Sequence, residues 1–296
     1  MPQPAAGTPH DRTPYVLGTG DDELQRLAFQ HRLWSDAAHA AWRLAGIRPG
    51  ARVLDIGCGP GYASFDLAQL VTSAGLVVGV DESPSFVAHV RAQAGARGLG
   101  HLRGLVGDVQ RLGRVLETAG AELGPDARGG TFDLAYARWV LCFVPDPGAV
   151  IAGAARLLAP GGRLCVHDYF NYETMTPAPR RAAYALAVSA TARSWRDRGG
   201  DPDVMARVPA LCAAVGLRVE HLAVHARLAR PGETMWHWAD SWWRTYVPKL
   251  VAGGYLTPGD QERIFADLDD LAATPAGFLV LPPVFELIAV RPPQGA

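Results

Sequence analysis

An apolar run that ends in an acid and gives way to glycines at every second position, as residues 53–61 do (VLDIGCGPG), leaves few folds open. The run reads as a buried strand. Gly57, Gly59 and Gly61 supply backbone that can turn sharply or touch a ligand with no Cβ in between. Residues 62–70 then read as a helix, whose first N–H groups and positive dipole end suit an anionic group. A glycine-rich turn alone is weak evidence. Here Asp81 stands twenty residues beyond Gly61, closing a second apolar run (residues 75–80, GLVVGV). An acid at that place can accept hydrogen bonds from both hydroxyls of a ribose. Spacing and context together predict a mononucleotide or nucleoside site.

The same alternation continues. Strands are expected at 51–56, 75–80, 102–106, 132–137 and 163–168, with helices at 62–70, 84–97 and 147–158. Strands separated by helix-length crossovers pair in parallel, because a hairpin cannot reach a parallel neighbour. The expected fold class is therefore α/β, a doubly wound, mostly parallel sheet. After Asp168 the rhythm changes. Residues 177–195 and 203–215 read as helices, and 218–228 and 284–291 as strands. Met235, Trp236, Ala239, Trp242, Trp243, Tyr246 and Val247 form one helical stripe, read as core, with Trp238 off the stripe and the better candidate for ligand contact. Thr257 suits a helix N-cap with Pro258 at the first helical position. The expected organisation is a tail at 1–20, N-terminal helices at 21–48, a core at 49–170, a helical insertion at 171–202, further core at 203–230, a second helical insertion at 231–277, and a last strand and tail at 278–296. The helical parts are expected to form a cap over one edge of the sheet.

Composition excludes several partners. The formal net charge is −1, and of the 28 basic residues only Lys249 is a lysine, so no basic stripe is available for a phosphate backbone. The four cysteines form no C-x-x-C pair, which fits free thiols in a reducing compartment. Residues 1–14 lack an apolar signal core, and eighteen uncharged apolar residues never run together. The expectation is a cytoplasmic protein, monomer or homodimer, acting on a small molecule, with neither nucleic acid nor membrane as partner.

The pattern D-x-G-x-G-x-G, carried by Asp55, Gly57, Gly59 and Gly61, resembles the signature of the class I S-adenosylmethionine-dependent methyltransferases. Further matches fall in order: VGVDES at 78–83, GDV at 107–109, FDLAYARWVLCFVPDP at 132–147 and LLAPGGRLCVHD at 157–168. The likeness covers residues 24–170 well and the remainder loosely. It looks nearest to the small-molecule branch with quinone-biosynthesis C-methyltransferases and natural-product enzymes. The resemblance implies a seven-stranded Rossmann-like sheet whose last strand is antiparallel and inserted beside the fifth. It also implies S-adenosyl-L-methionine as donor and S-adenosyl-L-homocysteine as product. The backbone at Gly57, Cys58 and Gly59 would line the methionine part, and Asp81 would hold the ribose. Asp108 and Val109 would meet the adenine, Glu82 and Ser83 would flank the adenosine, and Arg138 would lie near the methionine end. Asp55 would brace the glycine turn or meet the donor's amino group through water, and Tyr15 would close over the carboxylate.

A sulfonium already makes its methyl electrophilic, so alignment is most of what the protein must supply, worth ~7 to 11 kcal/mol in good geometry. Should the acceptor have to lose a proton, His167, at the end of the fifth strand, is the first candidate base, with Tyr172 near it; the plainer reading of His167 is a hydrogen bond to a loop carbonyl. Asp168 and Asn171 could suggest a divalent metal, but Arg138 stands where catechol-type relatives carry an acid, so no metal is expected. Cys58 reads as small packing rather than as a nucleophile. Two other functions compete: donor binding without methyl transfer, because fold alone does not fix function, and nicotinamide-dependent oxidoreduction, which the glycine spacing disfavours.

Overall fold

The computed structural model describes residues 20–123 and 131–293. Its first helix, α1 (Asp21–Leu44), buries Trp34, Ala37, Ala38, Ala41 and Trp42 along one face. The alternating part follows: β1 (Arg52–Ile56), α2 (Tyr62–Val71), β2 (Leu76–Asp81), α3 (Pro84–Ala96), β3 (Leu102–Val106), the short helices α4 (Leu112–Thr118) and α5 (Gly120–Leu123), β4 (Phe132–Arg138), α6 (Pro147–Leu157) and β5 (Leu158–Tyr169). Helices start where capping chemistry permits. Ser83 Oγ accepts from the Phe86 N–H with Pro84 at the first position, and Asp146 does the same for Ala149 ahead of Pro147.

The later segment holds β6 (Thr176–Ala178), α7 (Ala182–Arg196), α8 (Val208–Ala214), β7 (Arg218–His225), β8 (Leu228–Ala229), α9 (Thr234–Ala252), α10 (Pro258–Ala273), β9 (Phe278–Val280) and β10 (Val284–Val290). The main sheet has seven strands in the order β3-β2-β1-β4-β5-β10-β7. Its first five pair in parallel, while β10 lies antiparallel between β5 and β7. This is the expected Rossmann-like sheet with its antiparallel insertion beside the fifth strand. β1 and β4 are buried almost throughout, as strands covered on both faces must be.

Three expectations change. The segment read as one helix over 177–195 begins as a strand, because β6 joins β9 and β8 in a separate three-stranded sheet before α7 starts. The helix read over 203–215 shortens to a 3₁₀ turn (Val204–Ala206) and α8. The break falls just ahead of Pro209, which has no N–H to give to a preceding turn and so sits in the first turn of α8. The cap also stands elsewhere than expected. Residues of α1, α7 and α9 face the segments that follow β1, β2, β4 and β5 across one cavity, so the cap covers the carboxyl ends of the strands rather than a sheet edge. Open α/β sheets bind ligands at those ends. Among the described residues no helix is long and apolar enough to cross a membrane.

Candidate active site

The cavity measures about 280 Å³, and its two ends differ in chemistry. One end is backbone and carboxylate. Gly57, Gly59 and Gly61 all have positive φ, at 64°, 53° and 86°, which β-carbon-bearing residues adopt only at a cost. A Cβ on Gly57 would lie 2.5 Å from a Val140 methyl, and one on Gly61 2.6 Å from Val90, whereas one on Gly59 would meet nothing within 4 Å. Gly57 and Gly61 are thus required by packing. Gly59 keeps space open beside the cavity it lines.

Asp81 ties the turn together. Its Oδ2 accepts from the Gly59 N–H at 2.8 Å and its Oδ1 from the Ser83 N–H at 2.9 Å, leaving lone pairs on both oxygens. Asp55 accepts from Ser64 Oγ at 2.5 Å, and burial pushes its carboxyl up to about 6 against that hydrogen bond and the nearby Arg138 charge. Glu82, Ser83, Asp108 and Val109 line the same end, with Asp108 Oδ1 accepting from the Gln110 N–H at 3.0 Å. The Cys58 thiol is buried, packs toward Gly79 and is pushed well above the usual thiol range by burial. A thiol in that state is poor in thiolate and therefore a poor nucleophile.

Arg138, at the end of β4, bridges the two ends. Its Nη2 donates to His31 Nδ1 at 2.9 Å, which leaves the His31 Nε2–H to donate to Asp66 at 3.0 Å. Its Nη1 is buried without a hydrogen-bond partner among the described residues. A buried guanidinium N–H left unpaired is costly, and an anionic group in the adjoining cavity would relieve it.

The other end is aromatic. Trp139 holds left-handed backbone, φ 52°, anchored by its N–H to the His167 carbonyl at 2.9 Å. Strain of this kind persists only where the surroundings enforce it. Here the ring lies in a stack, 6.1 Å from Tyr169 at 24° and 6.3 Å from Trp238 at 28°. The Trp139 indole N–H is buried without a partner among the described residues. Trp195, Trp242, Phe143 and Tyr172 continue the aromatic lining. Trp238 is fixed by its indole N–H donating to Gln30 on α1 at 3.1 Å.

Asp168 holds this end up. Its carboxylate is 0% exposed and accepts from the N–H groups of Val140 and Cys142, both at 3.2 Å, and of Tyr169 at 2.9 Å. Burial raises it to about 6. Both oxygens accept from backbone, and the group does not line the cavity.

The structure brings Asp55, Gly57, Cys58, Gly59, Asp81, Glu82, Ser83, Asp108, Val109, Arg138 and Tyr172 to one cavity. Gly61 shapes the turn from behind, and Tyr15 lies outside the described residues. His167 is a correction. It is 2% exposed and absent from the cavity wall; its Nδ1 lies 3.2 Å from Tyr136 Oη and its Nε2 2.8 Å from Glu286. With both ring nitrogens bonded below the cavity surface, it cannot reach an acceptor there, and burial lowers its affinity for a proton. Its partner is also not the loop carbonyl of the plainer reading. Tyr172 does line the cavity, but burial pushes its phenol well above the ordinary range, so it stays neutral and can hydrogen-bond or pack but not serve as a base. Sequence reading missed Arg26, Gln30 and His31, which give no motif, and Trp139, whose only signal was a large aromatic directly after the fourth strand. The stripe on α9 divides: Trp236, Trp243, Tyr246 and Val247 are core, whereas Trp242 joins Trp238 at the cavity.

A family model described as a methyltransferase domain matches residues 47–198. The nocamycin O-methyltransferase of Saccharothrix syringae is 38% identical over 117 residues, 40% of this chain and 37% of that one. The ubiquinone biosynthesis O-methyltransferase of Xanthomonas oryzae pv. oryzae is 33% identical over 201 residues, 63% of this chain and 69% of that one. Among solved structures, the geranyl diphosphate C-methyltransferase of Streptomyces coelicolor A3(2) superposes with a TM-score of 0.52 at 17% identity, over 95% of this chain and 90% of that one. At that identity the likeness concerns the fold. The family match contains the glycine turn and Arg138 but stops before α9, which carries Trp238 and Trp242.

Proposed function

Because the chain belongs to the class I S-adenosylmethionine-dependent methyltransferases, we propose that it moves the methyl group of S-adenosyl-L-methionine to an oxygen, nitrogen or carbon of a small, planar aromatic acceptor, of the quinone or natural-product kind. The observation that carries this reading is one continuous cavity with a glycine-and-carboxylate end and a tryptophan-lined end.

The first end fits the donor. The space at Gly59 leaves room for the methionine part against backbone, the free lone pairs of Asp81 suit the ribose hydroxyls, and Asp108 with the Val109 N–H suits the adenine edge. Glu82 and Ser83 would flank the adenosine. The unpartnered Arg138 Nη1 suits the donor's carboxylate, and Asp55 its cationic end. Bound there, the donor supplies an electrophilic methyl on a positively charged sulfur. The chain's own work is then positioning. Trp139, Tyr169 and Trp238 offer flat faces on which an aromatic ring stacks, and the Trp139 N–H offers one donor for an acceptor oxygen. Among the described residues no side chain at that end is poised as a base, since Tyr172 is held neutral and Asp168 is turned into backbone. An acceptor with its own ionised or electron-rich atom, such as a phenolate, fits best. Closing the aromatic wall around it excludes water from the sulfur.

The test is incubation with donor carrying a labelled methyl and a panel of phenols, hydroxyquinones and aromatic amines. Label should pass to a planar aromatic, and Trp139→Ala should raise the acceptor KM at least ~10-fold, about 1.4 kcal/mol, with the donor Kd unchanged. Tight donor binding with no label moved to any acceptor would favour the reading without methyl transfer, and no donor binding would end both.

Asp55 gives a pH signature. Burial holds its carboxyl at about 6 in the free protein, and a cationic donor favours the ionised form. Donor affinity should therefore weaken as pH falls through 6, where binding has to expel a proton. Calorimetry from pH 5 to 7.5 should show this slope in the parent and not in Asp55→Asn. An equal slope in both would remove Asp55 from the donor site.

A further inference from the structure

Glu286 sits mid-strand in β10, directly opposite His167 of β5 on one side and Ala223 of β7 on the other. His221 and His225 lie two residues to either side of Ala223, so the pleat turns all three imidazoles and the carboxylate to the same face of the sheet. The side chains converge. Glu286 Oε2 lies 2.8 Å from His167 Nε2 and 2.9 Å from His225 Nε2, and its Oε1 lies 2.8 Å from His221 Nε2. One coordinating atom from each of His167, His225 and Glu286 falls within 4.8 Å of the other two.

We propose that His167, His225 and Glu286 form a binding site for a divalent transition-metal cation of the zinc type, with water as the fourth donor and His221 holding the carboxylate through its other oxygen. Neutral imidazole nitrogens with one carboxylate are the donors such ions take, at bonds of about 2.0–2.2 Å. A four-coordinate ion with those bonds spaces its donors about 3.3–3.6 Å apart; the nitrogen–oxygen separations of 2.8 and 2.9 Å lie below that range and the triad as a whole falls within 4.8 Å, so side-chain rotation has to open the former around the ion. The outer partner is in place. With the ion on Nε2, His167 carries its proton on Nδ1 and donates it to Tyr136 Oη, now 3.2 Å away. Access is from the sheet edge. β7 is the terminal strand, and its His221 and His225 side chains are 31% and 26% exposed, whereas Glu286 is 5% exposed. The ion would rivet β5, β10 and β7, the antiparallel end of the sheet. Through Tyr136, whose ring borders the cavity, it would stiffen the wall beside Arg138. This site is separate from Asp168, whose carboxylate accepts from the N–H groups of Val140, Cys142 and Tyr169.

The experiment uses the full chain stripped with a chelator and titrated with Co2+, then Zn2+. One equivalent of Co2+ should give the visible d–d absorption of a four-coordinate imidazole site, Zn2+ should displace it, and both ions should raise Tm. His225→Asn should weaken Co2+ affinity at least ~10-fold; it removes a partly exposed ring, so the variant should stay folded. Glu286→Gln should do the same, with circular dichroism confirming its fold. His39→Asn, in the separate His31–Asp66–His39 cluster, should leave the spectrum unchanged and serves as the control. Absence of the Co2+ spectrum, its survival in His225→Asn, or its loss in His39→Asn would each overturn the proposal.

Discussion

Gly57→Ala should lower stability by between about 2 and 5 kcal/mol, seen as a lower urea midpoint with the slope unchanged. Two causes act together. The residue holds φ at 64°, and its new methyl would stand 2.5 and 2.9 Å from the Val140 methyls, on the loop that Asp168 pins. Gly59→Ala, two residues further on, should behave in the opposite way. Its φ of 53° costs only about 1–2 kcal/mol, and the added methyl meets no protein atom within 4 Å, so the chain still folds. The methyl instead occupies the space given to the donor, and affinity for S-adenosylhomocysteine should fall roughly 100-fold, about 2.7 kcal/mol. Parent-like affinity in Gly59→Ala would show that the donor lies elsewhere.

Asp168→Ala should be the most damaging change at the aromatic end of the cavity. The carboxylate is 0% exposed and takes three backbone N–H groups, from Val140, Cys142 and Tyr169. Deleting it strands buried donors at about 1–3 kcal/mol each. A stability loss of about 3 kcal/mol or more is expected. The loop that forces Trp139 into left-handed backbone would also relax, so acceptor KM should rise more than donor Kd. The pH dependence has a definite sign. Burial raises the folded carboxyl to about 6 from 3.8, so the folded state holds this proton more tightly than the unfolded chain. The stability owed to that proton is complete below about pH 4 and is lost as pH rises through 6. Chemical denaturation at pH 4, 5, 6 and 7 should therefore show the gap between parent and variant narrowing with pH; a gap that widens would contradict the burial of Asp168.

Legibility in the sequence differs by element. The parallel core is readable because each unit is local: an apolar run, a glycine turn, a capped helix, all close together along the chain. Ser83 and Asp146 mark the starts of α3 and α6 through their caps, and Thr257 marks α10, where it forms a capping box with Asp260. The small strands β6, β8 and β9 leave no such trace. Strands of two or three residues have too little alternation to read, and they exist because three distant segments meet. His167 shows the same limit at the level of one side chain. Its place on the fifth strand is legible, but the direction of its ring depends on pairing with Glu286, 119 residues away.

The sequence by itself determined the glycine-and-carboxylate end of the cavity. Its glycines, with their positive φ, and the acid closing the next strand stand within thirty residues of one another, so residue type and spacing carry the information. Only the tertiary structure decided the tryptophan-lined end and the histidine cluster. Trp139, Trp238 and Gln30 come from three separated elements, and so do His167, His225 and Glu286. Any tryptophan or histidine satisfies local propensity equally well as core, surface or ligand; what it does is set by which long-range neighbours close around it.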